Sequence, residues 1–344
     1  MTQVGGALAS QGLPKVASGP LLQVRNLTTQ VASHGRASNA VDHLSLSVNR
    51  GEIVALVGET GSGKTMTALS VMRLLPPQAQ TLEGTIALDG VNLLHLSERE
   101  MNRVRGGRIG LLFQQPRAAL DPTCTIGAQV AEALQVHRHV PRHIAWTQAI
   151  GLLADVGIAE PESRAHSFAY QMSGGMAQRA MIAAALSGEP DLLIADEPTT
   201  SLDVTVQAQI LKLLVEMRDE RGLAILLITH DLAIVRAVAD RVAVMYSGRI
   251  VEEGPTAEIV GLPKHPYTQA LIHASLLDSD FGGRLYALPT GVNGERATGC
   301  RFCARCSLAD SLGIRDHCQK EEPQLLTCGG SHTARCWGVN ANAG

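Results

Sequence analysis

The stretch "GETGSGKT", Gly58 to Thr65, decides the fold. Glycine at its first position and Gly63-Lys64-Thr65 at its end have the spacing of a phosphate-binding loop. Glycines let the backbone curl so that successive N–H groups converge where phosphate oxygens would sit. Gly58, Glu59, Thr60, Gly61, Ser62, Gly63, Lys64, Thr65 and Met66 therefore form a candidate ATP site. Lys64 would reach the β- and γ-phosphates, and the Thr65 hydroxyl would ligate magnesium. Such a loop demands a buried strand before it and a helix after it. "GEIVALVG" (51–58) is a continuous apolar run closed by glycine, and "GKTMTALSVMRLL" (63–75) has helical spacing and stops at Pro76-Pro77. The helix start adds its positive end to the attraction for phosphate.

Working outward, a magnesium carboxylate is needed at the end of a neighbouring strand. "DLLIADEP" (191–198) supplies Asp196 to hold the metal and Glu197 to polarise an attacking water. His230 ends the next apolar run, "LAILLITHD" (223–231), at the sheet edge where such folds place ligands. Further strands are expected at 21–31, 41–48, 83–90 and 108–116. A closing hairpin at 241–254 would turn on Ser247-Gly248. Helical patterning fills roughly 117–190, and another helix, "TVQAQILKLLVEMRDERG" (205–222), separates the two acidic and histidine-bearing strands. The fold class is α/β: a P-loop NTPase (RecA-like) core with an antiparallel β subdomain and an inserted helical subdomain. A cysteine-rich C-terminal extension follows.

Composition agrees. With 45% hydrophobic, 18% charged and 3% aromatic residues, small aliphatics must fill the interior, which suits an α/β core. A net charge of −3 offers no broad footprint for nucleic acid. No apolar run reaches a membrane span, and the Gly/Ala/Ser/Pro-rich start (1–20) reads as a flexible leader rather than a signal peptide. The protein is expected in the cytoplasm, where thiols stay reduced. Domains are expected at 21–258 (helical subdomain about 117–185) and 259–344.

"MSGGMAQR" (172–179), just before the Asp196 strand, resembles the signature motif of ABC transporter ATP-binding subunits. The resemblance implies that two such subunits sandwich ATP head to tail. Each P-loop would face the partner's Ser173, Gly174, Gly175 and Gln178. Gln114 in "FQQP" would sense magnesium or the γ-phosphate, and Ser201 and Asp203 in "TTSLD" would lie across the dimer. Glu197 would act as base and His230 as switch. Magnesium would be held by Thr65, Gln114 and Asp196. The family often places an aromatic near the end of the first strand to stack on adenine; Val31 stands there, implying apolar contact with the base or a register offset of a residue or two.

"HPYTQALI" (265–272), with "FQQPRAALDP" and "TTSLDVTVQAQIL", is similar to the dipeptide, oligopeptide and nickel importer ATPases over residues 21–336. That resemblance implies an ATPase powering peptide import at the cytoplasmic face of the inner membrane. Implied partners are two permease subunits, a second homologous ATP-binding subunit and, indirectly, an extracytoplasmic solute-binding protein. Nickel or another small solute is the alternative cargo. A DNA-repair type ABC ATPase is a remote alternative, set against one P-loop, no heptad run and no basic bias. A non-hydrolysing module is opposed by Glu197 and His230.

Six of the seven cysteines lie after residue 299. The subfamily pattern matches Cys300, Cys306, Cys318 and Cys336, which in some members hold a four-iron four-sulfur (4Fe-4S) cluster; zinc or free thiols are the alternatives. Metal would staple a segment with too little apolar content to fold alone. Cys303 and Cys328 are extra to the pattern, leaving one ligand exchange open. Cys124 is expected to be a small buried hydrophobe.

Overall fold

The structure, a computed structural model, describes residues 19–33, 36–199, 202–275 and 298–340. Residues 1–18 of the leader and Ser201 lie outside them. The strands are β1 (Leu22–Ser33), β2 (Arg36–Val48), β3 (Ile53–Val57), β4 (Ala79–Leu88), β5 (Val91–Asn92) and β6 (Ile109–Leu112). Then follow β7 (Leu192–Asp196), β8 (Ala224–Thr229), β9 (Arg241–Tyr246), β10 (Arg249–Pro255), β11 (Leu326–Gly329) and β12 (His332–Ala334).

One sheet has the order β11-β12-β10-β9-β3-β8-β7-β6 and the other β2-β1-β4-β5. From β9 to β6 the larger sheet is parallel. Every residue of β3, β7 and β8 is buried, which is why these strands read as unbroken apolar runs. Pleat alternation then assigns each residue to a layer. Ile225 and Leu227 pack with the helices Ile126–Arg138, Arg142–Asp155, Gly174–Ser187 and Val204–Arg221. Leu226 and Ile228 pack with the helix Lys64–Met72 and with Leu22, Val24, Leu46 and Ile86 of the antiparallel sheet.

The β9–β10 hairpin turns on Ser247 and Gly248, both with positive φ (46° and 88°), as a tight two-residue turn requires. The expected helical block resolves into several short helices between Pro116 and Ser187. Cys124 is exposed, in the turn before the helix Ile126–Arg138, and so is not the buried hydrophobe the sequence suggested.

The C-terminal residues add to the main sheet. β12 pairs antiparallel with β10 (Glu252 with Ala334), and β11 pairs with β12. Ala55, Val57, Val242, Val244 and Tyr246 share one core with Tyr267, Phe302, Cys303, Cys306 and Cys318. Arg301 bonds Asp42 of β2, and Arg249 and Arg301 both pair with Glu322. Among the described residues no helix is long and apolar enough to cross a membrane.

Candidate active site

The loop after β3 is built by its glycines. Gly58 (φ 156°) and Gly63 (φ 110°) have no room for a side chain: a Cβ would lie 2.2 Å from the Met245 carbonyl oxygen and 2.2 Å from that of Ala40, respectively. Gly61 (φ 82°) uses only glycine's backbone freedom, with open space around it. Gly63 precedes the helix Lys64–Met72, whose first N–H groups have no side-chain cap, which leaves them directed at the loop. Lys64 is buried, and its Nζ donates to the carbonyls of Gly58 (2.7 Å) and Glu59 (2.9 Å). Burial pushes its pKa down, opposed by the carboxylates of Glu197, Asp196 and Glu59. Thr60, Gly61 and Thr65 are exposed, and Met66 is half-buried.

Asp196, the last residue of β7, is buried. Burial raises its carboxyl above the ordinary range; a hydrogen bond from the Thr65 hydroxyl and the nearby Lys64 work the other way. The Thr65–Asp196 pair, both oxygen donors beside a buried lysine, is what a hard divalent cation requires. Gln114 Nε2 donates to Glu197 Oε2 at 2.7 Å, and His230 Nδ1 lies 3.1 Å from Glu197 Oε1. Three residues 83 and 33 positions apart in the chain thus meet around one carboxylate. The structure therefore brings together Lys64, Thr65, Asp196, Glu197, Gln114 and His230.

The remaining sequence-predicted residues lie elsewhere. Ser173 caps the helix Gly174–Ser187 by accepting from the Met176 N–H, and Ser173 and Gly174 are exposed. A side chain at Gly175 would bring its Cβ to 3.4 Å from Val206. Gln178 is buried at 3% exposure, with no hydrogen-bond partner for its amide nitrogen among the described residues, so it does not share the exposed face of Ser173. Asp203 caps the helix Val204–Arg221 through the Val206 N–H (2.9 Å). Val31 is half-buried in β1, opposite Ser38 and Ala79.

Two residues of the extension, missed by the sequence reading, reach the phosphate loop. Tyr267 of the HPYT stretch is fully buried, and its hydroxyl accepts from the Glu59 N–H at 2.8 Å. Arg305 grips the Glu59 carboxylate with two nitrogens, at 2.9 and 3.0 Å. The HPYT turn is itself held by Glu252 of β10, which is fully buried and accepts from the N–H groups of Lys264 (2.6 Å) and His265 (2.9 Å) and from His332 Nε2 (2.6 Å). His265 is pushed down to about 3 by burial and by the nearby Arg335, so its ring is neutral; its Nδ1 accepts from the Tyr267 N–H. No local pattern signals Arg305, whereas Tyr267 lay within a stretch already singled out.

Cys300, Cys303, Cys306, Cys318 and Cys336 line one cavity with Phe302, Ile314 and Trp337. Cys328 is not among them; its thiol faces the Leu326 carbonyl. Burial pushes Cys300 up to about 12, and burial with neighbouring thiols pushes Cys318 up to about 11. Among the described residues no three His, Cys, Asp or Glu side chains come close enough together to ligate a single ion.

Residues 41–200 match the family described as ABC transporter, and residues 251–311 match that described as oligopeptide/dipeptide transporter, C-terminal region. The chain is 46% identical over 325 residues to the probable peptide ABC transporter ATP-binding protein y4tR of Sinorhizobium fredii, covering 93% of this chain and 95% of that protein. It is 41% identical over 318 residues to the dipeptide transport ATP-binding protein DppD of Escherichia coli, covering 92% of this chain and 96% of that one. Of the solved structures, a dimeric post-hydrolysis state of the ATP-binding cassette MJ0796 bound to ADP and Pi superposes with a TM-score of 0.63 at 26% identity. That match covers 68% of this chain and 98% of the cassette.

Proposed function

The chain belongs to the ABC transporter ATP-binding proteins and carries the C-terminal region of their oligopeptide/dipeptide branch, and on that premise we propose that it hydrolyses ATP to drive the import of peptides through a membrane transporter. The observation that carries the catalytic part is the meeting of Gln114, Glu197 and His230 beside Lys64, Thr65 and Asp196. Cargo and address rest on the relatives' names. Nickel or another small solute is the alternative cargo, to be separated by identifying what the cognate binding protein carries.

In the proposed reaction, water attacks the γ-phosphorus, the bond to the β,γ-bridging oxygen breaks, and ADP and phosphate leave. Glu197 accepts the water's proton and His230, bonded to the same carboxylate, holds it toward the phosphate. Lys64 and the N–H groups of the glycine loop neutralise charge on the phosphates as it shifts. Thr65, Asp196 and Gln114 would hold magnesium, which when bound adds charge neutralisation between the phosphates. The exposed Ser173 and Gly174, with Gly175 at the same helix start, would clamp the nucleotide of a second cassette. Asp203 and Ser201 would lie along the contact between the two. The dimeric state named for the MJ0796 structure supports that arrangement. The buried Gln178 has no part in it.

Two permeases, a second ATP-binding subunit and a peripheral position on the cytoplasmic face complete the proposed assembly. For the extension, Cys300, Cys306, Cys318 and Cys336 would hold a 4Fe-4S cluster, with zinc as the alternative. Their convergence with Cys303 on one cavity supports a multi-thiolate group. We divide the chain at 258/259 as a boundary of composition, since the extension shares the sheet and core of the cassette.

Purified chain with its permeases in vesicles tests the proposal. ATP consumption stimulated by a peptide-loaded binding protein is expected; peptide uptake undiminished in Lys64→Ala would refute it. Iron and sulfide analysis of anaerobically prepared protein, with its optical spectrum, separates cluster from zinc.

A further inference from the structure

Glu59, the second residue of the phosphate loop, has every polar group engaged. Its N–H donates to Tyr267 Oη (2.8 Å), its carbonyl accepts from Lys64 Nζ (2.9 Å), and its carboxylate receives both arms of Arg305 (2.9 and 3.0 Å). Two of these three partners come from the C-terminal extension, 208 and 246 residues away. Arg305 is only 11% exposed. It lies 5.7 Å from the ring centres of both Tyr246 and Phe302, and also approaches Tyr246 Oη (3.4 Å). Phe302 packs edge-on against both Tyr246 and Tyr267, and Tyr246 is tilted against Tyr267, so the guanidinium has a rigid seat. A two-armed Arg–carboxylate pair fixes orientation as well as distance.

We infer that Arg305 is a positioning residue for the nucleotide: by holding Glu59 it sets the loop whose N–H groups and Lys64 receive the phosphates. The inference deepens the ATP-site reading given above and rests on it. Arg305 touches no reacting atom; it acts through Glu59, whose carbonyl is one of the seats of the Lys64 amine. It also ends the single helical turn Cys303–Arg305, so whatever shapes the cysteine segment is felt at the loop.

Titration of the full-length chain with a fluorescent ATP analogue, alongside steady-state hydrolysis, tests this. Arg305→Glu and Glu59→Arg are each expected to weaken nucleotide binding about tenfold or more, as a loop displaced by a fraction of an ångström would. The KM for ATP should rise in step, and kcat should fall with it, because Lys64 and the same loop neutralise charge on the phosphates. The double exchange Glu59→Arg/Arg305→Glu should regain most of the loss, and Arg305→Lys part of it. Because Arg305→Glu could unsettle the cysteine segment, Glu59→Gln approaches the same contact from the loop side. It should weaken binding in the same direction. Variants that lower the unfolding midpoint yet keep the parental Kd would mark a merely structural bridge and overturn the inference, as would a double exchange no better than the sum of its singles. Failure of the unaltered chain to bind the analogue would overturn the ATP-site reading itself.

Discussion

Replacing Glu252 by Gln isolates the joint between cassette and extension. The side chain is fully buried on β10 and receives three bonds, from the backbone of Lys264 and His265 and from the His332 ring. Glutamine keeps the volume but turns one acceptor oxygen into an NH2 group, which sets donor against donor at a fully buried site. A bond to a charged acceptor contributes about 1.5–3 kcal/mol, and an unmet buried donor costs about 1–3 kcal/mol. Losing one bond and weakening two others therefore comes to about 3 kcal/mol. At roughly 2 °C per kcal/mol for a chain of this size, the apparent midpoint should fall by about 6 °C. Differential scanning fluorimetry reads the shift. Limited proteolysis should show new cleavage near Lys264. A Gln variant that melts within about 1 °C of the parent would refute the claim that this carboxylate holds the HPYT turn in place.

Gly63→Ala should lower nucleotide affinity by about a hundredfold or more in an ATP-analogue titration, because its Cβ would meet the Ala40 carbonyl at 2.2 Å and its φ of 110° suits only glycine. Glu197→Gln should retain nucleotide binding but lose turnover by about 10²–10⁴-fold, the range for removing a general base, as single-turnover phosphate release would report. Acid should release the tail late. Burial alone would raise Asp42, but bonds from His43, Arg301 and Arg249 outweigh it and hold the carboxylate well below its usual range. A lowered folded-state pKa means that the stability it contributes is present above about pH 3.8 and is lost as pH falls through the folded value. The destabilisation caused by Arg301→Ala in urea melts should thus be constant from pH 8 to pH 5 and shrink only at more acid pH.

The parallel strands were legible because burial on both faces leaves β3, β7 and β8 no polar positions to break the run. The phosphate loop was legible because Gly58 and Gly63 sit where nothing larger fits. The placement of the strand-end residues followed, since β7 and β8 deliver Asp196, Glu197 and His230 to the edge that already held Lys64. Legibility failed where contacts are non-local or elements short. β11 and β12 are four and three residues long, too brief for alternation to register. The helix Glu98–Val104 does carry a readable signal, a reciprocal Ser97–Glu100 capping box, yet it lies in a polar segment with no apolar stripe to draw notice. Gln178 was misplaced because a motif was read as a linear string. On a helix, Ala177, Gln178 and Met181 share the inward face, while Ser173 and Gly174 occupy the exposed start. Arg305 could not have been found at all, since nothing in a sequence links it to a glutamate 246 residues away.

One departure from local preference explains how two adjacent acids serve one site. In an extended strand, neighbouring side chains point to opposite faces, so Asp196 and Glu197 in regular continuation would be separated by the sheet. Asp196 is still in register with Ile228 of β8, and the Glu197 N–H still bonds the Ile228 carbonyl at 2.9 Å. Glu197 itself adopts φ 49°, a left-handed conformation that glutamate rarely takes and that costs on the order of 1–3 kcal/mol. That reversal swings its carboxylate back to the strand end, between Gln114 and His230, while Asp196 stays turned to Thr65. The neighbouring β8 pairing and the bonds from Gln114 and His230 offset the strain, so the sheet stabilises a geometry that the isolated segment would not adopt. The conformational cost falls on the one residue whose placement the proposed chemistry needs most, and a glycine there, though easier on the backbone, would forfeit the carboxylate that makes the arrangement useful.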